Sequence, residues 1–240
     1  MNYSYFDDII QRRRSNRKFD TNVVVPNEVI ERSLQRAILS PNSSNMQLWE
    51  FYWLQSETEK TKFHSLCLNQ NAAKTAAHLI VFVTRKDYWK KRAEWNVATA
   101  RKNIVGEPTP IQKKILDYYT KLMPIAYSSD WLGITNSIKQ LISFCIGLFK
   151  PFYRMGGKAD QRIKVHKSCA LAAQTFMLSI TAEGYDTCPM EGFDALRVRK
   201  ALQLPCGAEI NMIVAVGKGT DAGIWGSRNR VPYEAVVFVR

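Results

Sequence analysis

The chain has 240 residues, enough for one well-cored domain with room for an inserted subdomain. Hydrophobic residues make up 46 % of it and charged residues 23 %, a balance that excludes a disordered chain. Its net charge of +13 points to anionic partners, namely nucleic acid, an acidic membrane surface or a phosphorylated cofactor, but no zinc-finger, RNA-recognition or basic-zipper pattern supports the first.

Residues 5–14 read as a helix running into the basic turn Arg12-Arg13-Arg14. Pro26 opens a second helix, with Val29, Ile30, Leu34, Ala37 and Ile38 at helical spacing, and Ser40-Pro41 ends it. Trp49 to Leu54 predicts an aromatic strand, 58–67 a short helix, and His78 to Val83 a second strand. Residues 86–160 read as helical, broken at Pro108, Pro110, Pro124 and Pro151. Within them, Leu141–Phe149 is the longest apolar stretch. It is interrupted by Ser143 and falls short of the about 20 residues a membrane span takes, so a buried helix is expected, with a membrane-surface or partner-facing helix as the alternative.

Residues 162–183 predict a long helix whose Ala170, Ala172 and Ala173 permit close packing. Residues 210–217 predict a buried strand and 235–239 a terminal strand. The strands are few and unevenly spaced, and none is followed by a Gly-rich turn. An α+β layered domain is therefore expected rather than a Rossmann fold. Five scattered cysteines without a CxxC pair, and no apolar leader at Met1–Ser4, lead us to expect a reducing cytoplasm.

Four segments carry groups suited to chemistry, each with two readings. Arg13-Arg14-Ser15-Asn16-Arg17-Lys18-Phe19 can hold a phosphate through charge-assisted bonds, or is a solvated helix end. Pro41-Asn42-Ser43-Ser44-Asn45-Met46-Gln47-Leu48-Trp49 offers amides and hydroxyls to a heterocycle edge, or is an Asx/Ser turn. Pro189-Met190-Glu191-Gly192-Phe193-Asp194 can bring backbone N–H groups close to a ligand, or is a plain loop before a helix near 194–202 capped by Asp194. Arg228-Asn229-Arg230-Val231-Pro232 sets two arginines on one side of an extended chain, or is a solvated tail. His64, His78 and His166 show no metal-ligand spacing, so no metal is expected. Cys188, just before the third segment, reads as a buried inert thiol or as a thiol beside a ligand.

In this order and spacing the four segments resemble the nitroreductase-like FMN-dependent oxidoreductases, over nearly the whole chain. The resemblance implies an α/β/α layered fold with a mainly antiparallel central sheet flanked by helices. It implies an intertwined homodimer with flavin sites at the subunit interface, and one FMN-binding domain over 1–240 with a variable helical insertion at about 86–160. Arg13 and Arg230 would bind the FMN phosphate with Arg228 nearby, and Arg14 and Ser15 would line the phosphate and ribityl chain. Arg17 would approach the pyrimidine side of the ring. Pro41, Ser43 and Asn45, with Gln47 in the same loop, would come from the second subunit. Pro189 and Met190 lead into Glu191 and Gly192, whose N–H groups would face flavin N5 and O4; Asn69 would contact the ring, with Asn71 as the alternative.

The implied reaction passes a hydride from NAD(P)H through flavin N5 to a nitroaromatic, quinone or enone, with no catalytic acid or nucleophile from the protein. Dehalogenation, dehydrogenation and flavin breakdown are other chemistries of the same family. A non-catalytic basic module for polyanions is the reading from a different class. Three positions depart from the family pattern. Asn42 replaces a serine, Leu48 a proline, and Ala72 falls where a lysine often follows the ring-contacting asparagine, with Lys74 as its possible substitute. Tyr118, Tyr119, Tyr127 and Trp131 are candidates for lining the pocket, or for packing in the core.

Overall fold

The structure is a computed structural model that describes residues 3–128, 134–154 and 157–240; Trp131 lies outside the described residues. In chain order, α1 (Tyr3–Arg12) leads through β1 (Phe19–Asp20) and α2 (Asn27–Ala37) to β2 (Trp49–Leu54). Next come α3 (Glu57–Leu66), α4 (Asn71–Thr75) and β3 (His78–Arg85). Then follow α5 (Trp89–Lys102), α6 (Pro110–Asp117), α7 (Met123–Tyr127) and α8 (Ile134–Phe149). The chain ends with α9 (Gly157–Ala182), β4 (Asp186–Met190), α10 (Ala195–Ala201) and β5 (Ala208–Gly219).

β3 is buried at every position because both faces of the sheet are covered. Successive side chains of a strand point to opposite faces, and the core divides accordingly. Leu79, Val81 and Val83 of β3, with Ile213 and Ala215 of β5, pack in one layer with Phe63 of α3, Ala72 and Ala73 of α4 and Val198 of α10. Ile80 and Phe82, with Val214 and Val216, pack in the other layer with Ile30 of α2 and Ala172, Ala173 and Phe176 of α9. The sheet runs β2–β3–β5, with β4 and β1 sharing the far edge of β5, and every strand pair is antiparallel. This is the expected α+β layered fold with helices on both faces of an antiparallel sheet.

Local rules set several helix ends. Asp194 accepts a hydrogen bond from the Arg197 N–H and caps α10. Thr109 and Gln112 make a capping box at α6, with Pro110 in its first turn. Glu183, at the end of α9, clamps α2 by accepting from Arg32 Nη2 and Arg36 Nη1, both at 2.7 Å. The Arg32 hydrogen bonds lead in holding its carboxyl down at about 2; burial opposes them, and the Arg36 hydrogen bond adds to the lowering. A depressed carboxylate stabilises the fold above its unfolded-state pKa, and that contribution is lost as pH falls through the folded-state value. Glu183→Gln is therefore expected to lower the melting temperature at pH 7 and to converge on wild type as pH falls from about 4.5 to 2. Parallel thermal melts across that range test this; a constant offset at all pH values counts against it.

The structure corrects four expectations. Residues 235–239 are not a strand: a 3-10 turn covers Tyr233–Ala235, Phe238 and Val239 are exposed, and the segment pairs with no described strand of the protomer. Pro124 does not break its helix, since the chain widens into a π-helical segment at Tyr118–Leu122 and Pro124 enters the first turn of α7, where its missing N–H costs little. The apolar stretch 141–149 is not buried. Asn136 and Ser143 of α8 face inward, while Leu141, Ile142, Leu148 and Phe149 face outward. Pro189 and Met190 belong to β4 rather than to a turn, and the turn begins at Glu191. Proline is tolerated there because β4 is an outer strand.

Candidate functional site

Two sites take shape from the four segments, at different edges of the sheet. At the β4 edge the chain leaves α1 and runs beside β4. Ser15 bridges Thr187 in parallel, and Asn16 N–H donates to the Thr187 carbonyl at 3.0 Å. Asn16, 2 % exposed, pins this run by donating to the Thr220 carbonyl and accepting from Lys18 N–H. Gly223 makes room for it, since a Cβ there would sit 1.7 Å from Asn16 Oδ1. Arg17 N–H donates to the Gly223 carbonyl, and the Arg17 guanidinium lies 4.5 Å over the exposed ring of Trp225.

The same arrangement gathers the arginines. Arg228 folds back on the end of α1 and donates to the carbonyls of Ile10, Gln11 and Arg13, which satisfies orphan carbonyls at a helix terminus that favours cations. Arg14 donates to the Gly226 carbonyl at 2.9 Å, and Arg230 to that of Asn229. Burial, followed by repulsion from Arg228, Arg230 and Arg14, lowers the pKa of Arg13. Among the described residues none of these four arginines pairs with a carboxylate, so no side-chain charge of the described protein offsets their converging positive charge.

The third segment completes this edge. Asp194 N–H donates to the Leu66 carbonyl, and Gln70 Nε2 donates to the Gly192 carbonyl at 2.7 Å. These bonds tie the 191–194 turn to the loop before α4. The N–H groups of Glu191 and Gly192 make no hydrogen bond among the described residues. Asn69 takes a left-handed backbone, φ 57°, beside Leu68 at φ 55°. Ala72 is packed in the core, where a lysine would bury its ammonium; Asn71 and Lys74 instead sit one turn apart on the exposed side of α4. Burial pushes the Cys188 thiol up, with Arg17 pulling it the other way, as an inert buried thiol requires.

Pro41, Ser43, Asn45 and Gln47 lie at the opposite edge, before β2. β2 and β4 are three strand spacings apart, about 14 Å across the sheet. In one protomer, then, the structure does not bring this loop to the arginines. The loop is nonetheless tightly built. Asn42 Oδ1 accepts Gln47 N–H at 2.8 Å, which explains the asparagine where serine was expected. Leu48 is 4 % exposed, packs beside Met46, and accepts Arg85 N–H through its carbonyl. Ser44, Asn45 and Gln47 all have positive φ, 57°, 48° and 48°. With Leu68 and Asn69, five of the six non-glycine residues of positive φ among those described fall in these two segments; the sixth, Gln203, ends a helix. Such conformations cost about 1–3 kcal/mol each and gather where a ligand or partner demands a shape.

Sequence reasoning missed Trp225, Asn16 and Gln70. An exposed tryptophan between Gly223 and Gly226 was a readable signal. Asn16 and Gln70 take their roles from partners distant in sequence, the Thr220 carbonyl and the Gly192 carbonyl. His78 and His166 prove structural. His78 accepts from Trp53 Nε1 and its Nε2 meets the Val25 carbonyl, while His166 contacts Asn211 and Glu209.

Fold and site together define a class: a layered α+β protein with an antiparallel core sheet, a cluster of arginines at one edge and a strained polar loop at the other. The Nitroreductase family profile matches residues 10–218, and the chain belongs to that family. It is 27 % identical over 226 residues to Protein DrgA of Synechocystis sp., covering 94 % of this chain and 89 % of that protein. Its fold is similar to that of ydfN from Bacillus subtilis, assigned as a nitroreductase (TM-score 0.77, 19 % identity, 99 % of this chain and 100 % of that one). It is also similar to an Exiguobacterium sibiricum protein, assigned as a nitroreductase and solved in complex with FMN (TM-score 0.68, 22 % identity, 98 % and 97 % coverage).

Proposed function

We propose that the chain is an FMN-dependent oxidoreductase that takes electrons from NAD(P)H and delivers them to small electron-poor acceptors such as nitroaromatics, quinones or enones. The observation that carries this reading is the cluster of Arg13, Arg14, Arg228 and Arg230, whose mutual repulsion is relieved by a phosphate. Bound FMN supplies a ring that accepts a hydride at N5 and gives it up to an acceptor.

The chain's own residues bind and orient. Arg13 and Arg230 hold the phosphate, with Arg228 fixed behind them on α1. Arg14 and Ser15 line the phosphate and ribityl chain. Arg17, braced on Trp225, brings positive charge to the pyrimidine side and eases electron uptake. The N–H groups of Glu191 and Gly192, beyond Pro189 and Met190, orient the N5 and O4 edge. Asn69 contacts the ring, with Asn71 and Lys74, one turn apart on the exposed side of α4, as the alternative. Solvent supplies protons, so no side-chain acid is needed.

Pro41, Ser43, Asn45 and Gln47 reach the flavin from a second copy of the chain. Supporting this are their distance from the arginines within one protomer and two large apolar surfaces, the outer face of α8 and the tail at Phe238 and Val239. Size-exclusion chromatography with light scattering is expected to give twice the chain mass of 27.5 kDa. Residues 1–240 then form one FMN-binding domain, with the helices of about 86–160 as the variable part. All five cysteines are unpaired, which fits a reducing cytoplasm.

The test is the visible spectrum of the purified protein before and after anaerobic NAD(P)H. A flavin spectrum that bleaches within seconds is expected. A flavin that persists moves the chain to dehalogenation, dehydrogenation or flavin breakdown. A colourless protein that takes up no added FMN overturns the assignment and favours polyanion binding.

A further inference from the structure

The 43–47 loop owes its shape to the inserted helices. Met46 and Leu48 are 1 % and 4 % exposed and pack with Ala93 of α5 and with Met123 and Tyr127 of α7. Burying these two leaves Ser43 and Asn45 on the outside of the loop. Polar groups of the insertion then hold the residues between them. The Tyr119 hydroxyl donates to the Ser44 carbonyl at 3.1 Å, and the Tyr118 hydroxyl is hydrogen-bonded to Ser44 Oγ at 2.6 Å. Asn96 of α5, 7 % exposed, donates to the Asn45 carbonyl at 3.1 Å and to the Arg92 carbonyl at 3.0 Å.

These bonds fall on two consecutive residues with a left-handed backbone, Ser44 at φ 57° and Asn45 at φ 48°. Neither is glycine, so each conformation is costly and persists only where its surroundings over-determine it. Tyr118 and Tyr119 open the π-helical segment Tyr118–Leu122, and their rings meet edge to face at 5.4 Å. π-helical turns are rare and gather at functional sites. Here the widened turn presents two successive hydroxyls to one loop residue, one to its side chain and one to its backbone.

We propose that Asn96, Tyr118 and Tyr119 are positioning residues for the flavin: they hold the 43–47 loop in the shape that reaches the cofactor of a second copy, so that the insertion of one protomer tunes the flavin of the other. This coupling rests on the FMN site and the second copy proposed above, and adds residues that act only through the loop.

The affinity for FMN, and the midpoint potential and visible band of the bound flavin, read the coupling in the full-length protein. Tyr118→Phe and Tyr119→Phe keep the ring packing and remove one hydrogen bond each. Each is expected to weaken FMN roughly fivefold and to shift the potential, and Asn96→Leu to act in the same direction. Ser44→Ala should match Tyr118→Phe, and the two combined should lose no more than either alone, because they remove the same bond. Thermal melts verify that each variant is folded. A lowered melting temperature with unchanged FMN affinity and potential shows a structural role only and overturns the proposal, as do additive losses in the Ser44–Tyr118 pair. Heterodimers of an Arg13→Ala chain with a Tyr118→Phe/Tyr119→Phe chain test the crossing between subunits. One site of wild-type affinity per dimer is expected, because the intact arginines of one chain then meet the intact loop of the other; two weakened sites overturn the proposal. A colourless wild type overturns the flavin reading and this coupling with it. A yellow wild type whose tyrosine variants bind FMN unchanged overturns the coupling alone.

Discussion

Arg13→Ala is expected to weaken FMN binding about a hundredfold and, in the flavin-free protein, to leave stability unchanged or raise it. The two halves of this result come from one cause. Without an anion, Arg13 is held at a cost: burial, then repulsion from Arg228, Arg230 and Arg14, disfavours its charge. Arginine cannot shed its proton to escape. Its removal relieves that strain and spares the bond from Arg228 to the Arg13 backbone carbonyl. With a phosphate present, the same guanidinium contributes two charge-assisted hydrogen bonds, about 1.5–3 kcal/mol each, so losing it costs on the order of 3 kcal/mol, or two decades in Kd.

Fluorescence titration with FMN and thermal melts of the stripped protein give both numbers. An unchanged Kd removes Arg13 from the phosphate site. Arg228→Ala serves as the contrast, since it should destabilise even the flavin-free protein by releasing three carbonyls at the end of α1.

Arg85→Met is expected to give the largest loss of stability, about 3–5 kcal/mol, or a melting temperature lower by roughly 6–20 °C. Arg85 is 4 % exposed at the end of β3. It makes a forked pair with Asp87, with Nη2 to Oδ2 at 2.8 Å, pairs with Glu50 of β2, and stacks 3.4 Å over the Tyr88 ring. Burial works against its charge, but the hydrogen bonds to Asp87 and Glu50 outweigh it and hold the pKa above the ordinary arginine value. Removing the guanidinium strands two carboxylates, each about three-quarters buried. Arg85→Lys should recover only part of the loss, because an ammonium cannot fork to Asp87 and Glu50 together. A melting temperature within about 2 °C of wild type, by the same conversion, shows that the network carries little. The Arg85 N–H also donates to the Leu48 carbonyl, a backbone bond that Arg85→Met leaves in place. The variant should therefore lose order first around Glu50 in β2 and Asp87 ahead of α5, which hydrogen exchange can read.

Much of the sheet was legible because its signals are local. β2 and β3 are runs of apolar and aromatic residues bounded by polar turns, and α9 shows long uninterrupted helical sequence. β4 was not legible: Asp-Thr-Cys-Pro-Met is short and contains proline, and only its place on the edge of β5 makes it a strand. The terminal Ala-Val-Val-Phe-Val has strand composition but pairs with no described strand of the protomer, and composition without a partner forms no ladder. α8 misled because apolarity reports a tendency to be covered without saying by what; within one chain its polar Asn136 and Ser143 turn inward.

The sequence by itself determined the layered α+β class, the main strands and helices, and the four segments whose order marks the family, since each of these lies in contiguous residues. Only the tertiary structure decided how those segments relate. It brought Arg13 and Arg14 to Arg228 and Arg230 across more than two hundred residues of chain, tied Gly192 to Gln70, and left the Pro41–Gln47 loop at the other edge of the sheet. It also brought Tyr118 and Tyr119 to Ser44. The physical reason is common to all of these. Hydrophobic periodicity fixes which face of an element is buried, whereas the meeting of charges and of polar atoms depends on how buried faces stack, which no local pattern encodes.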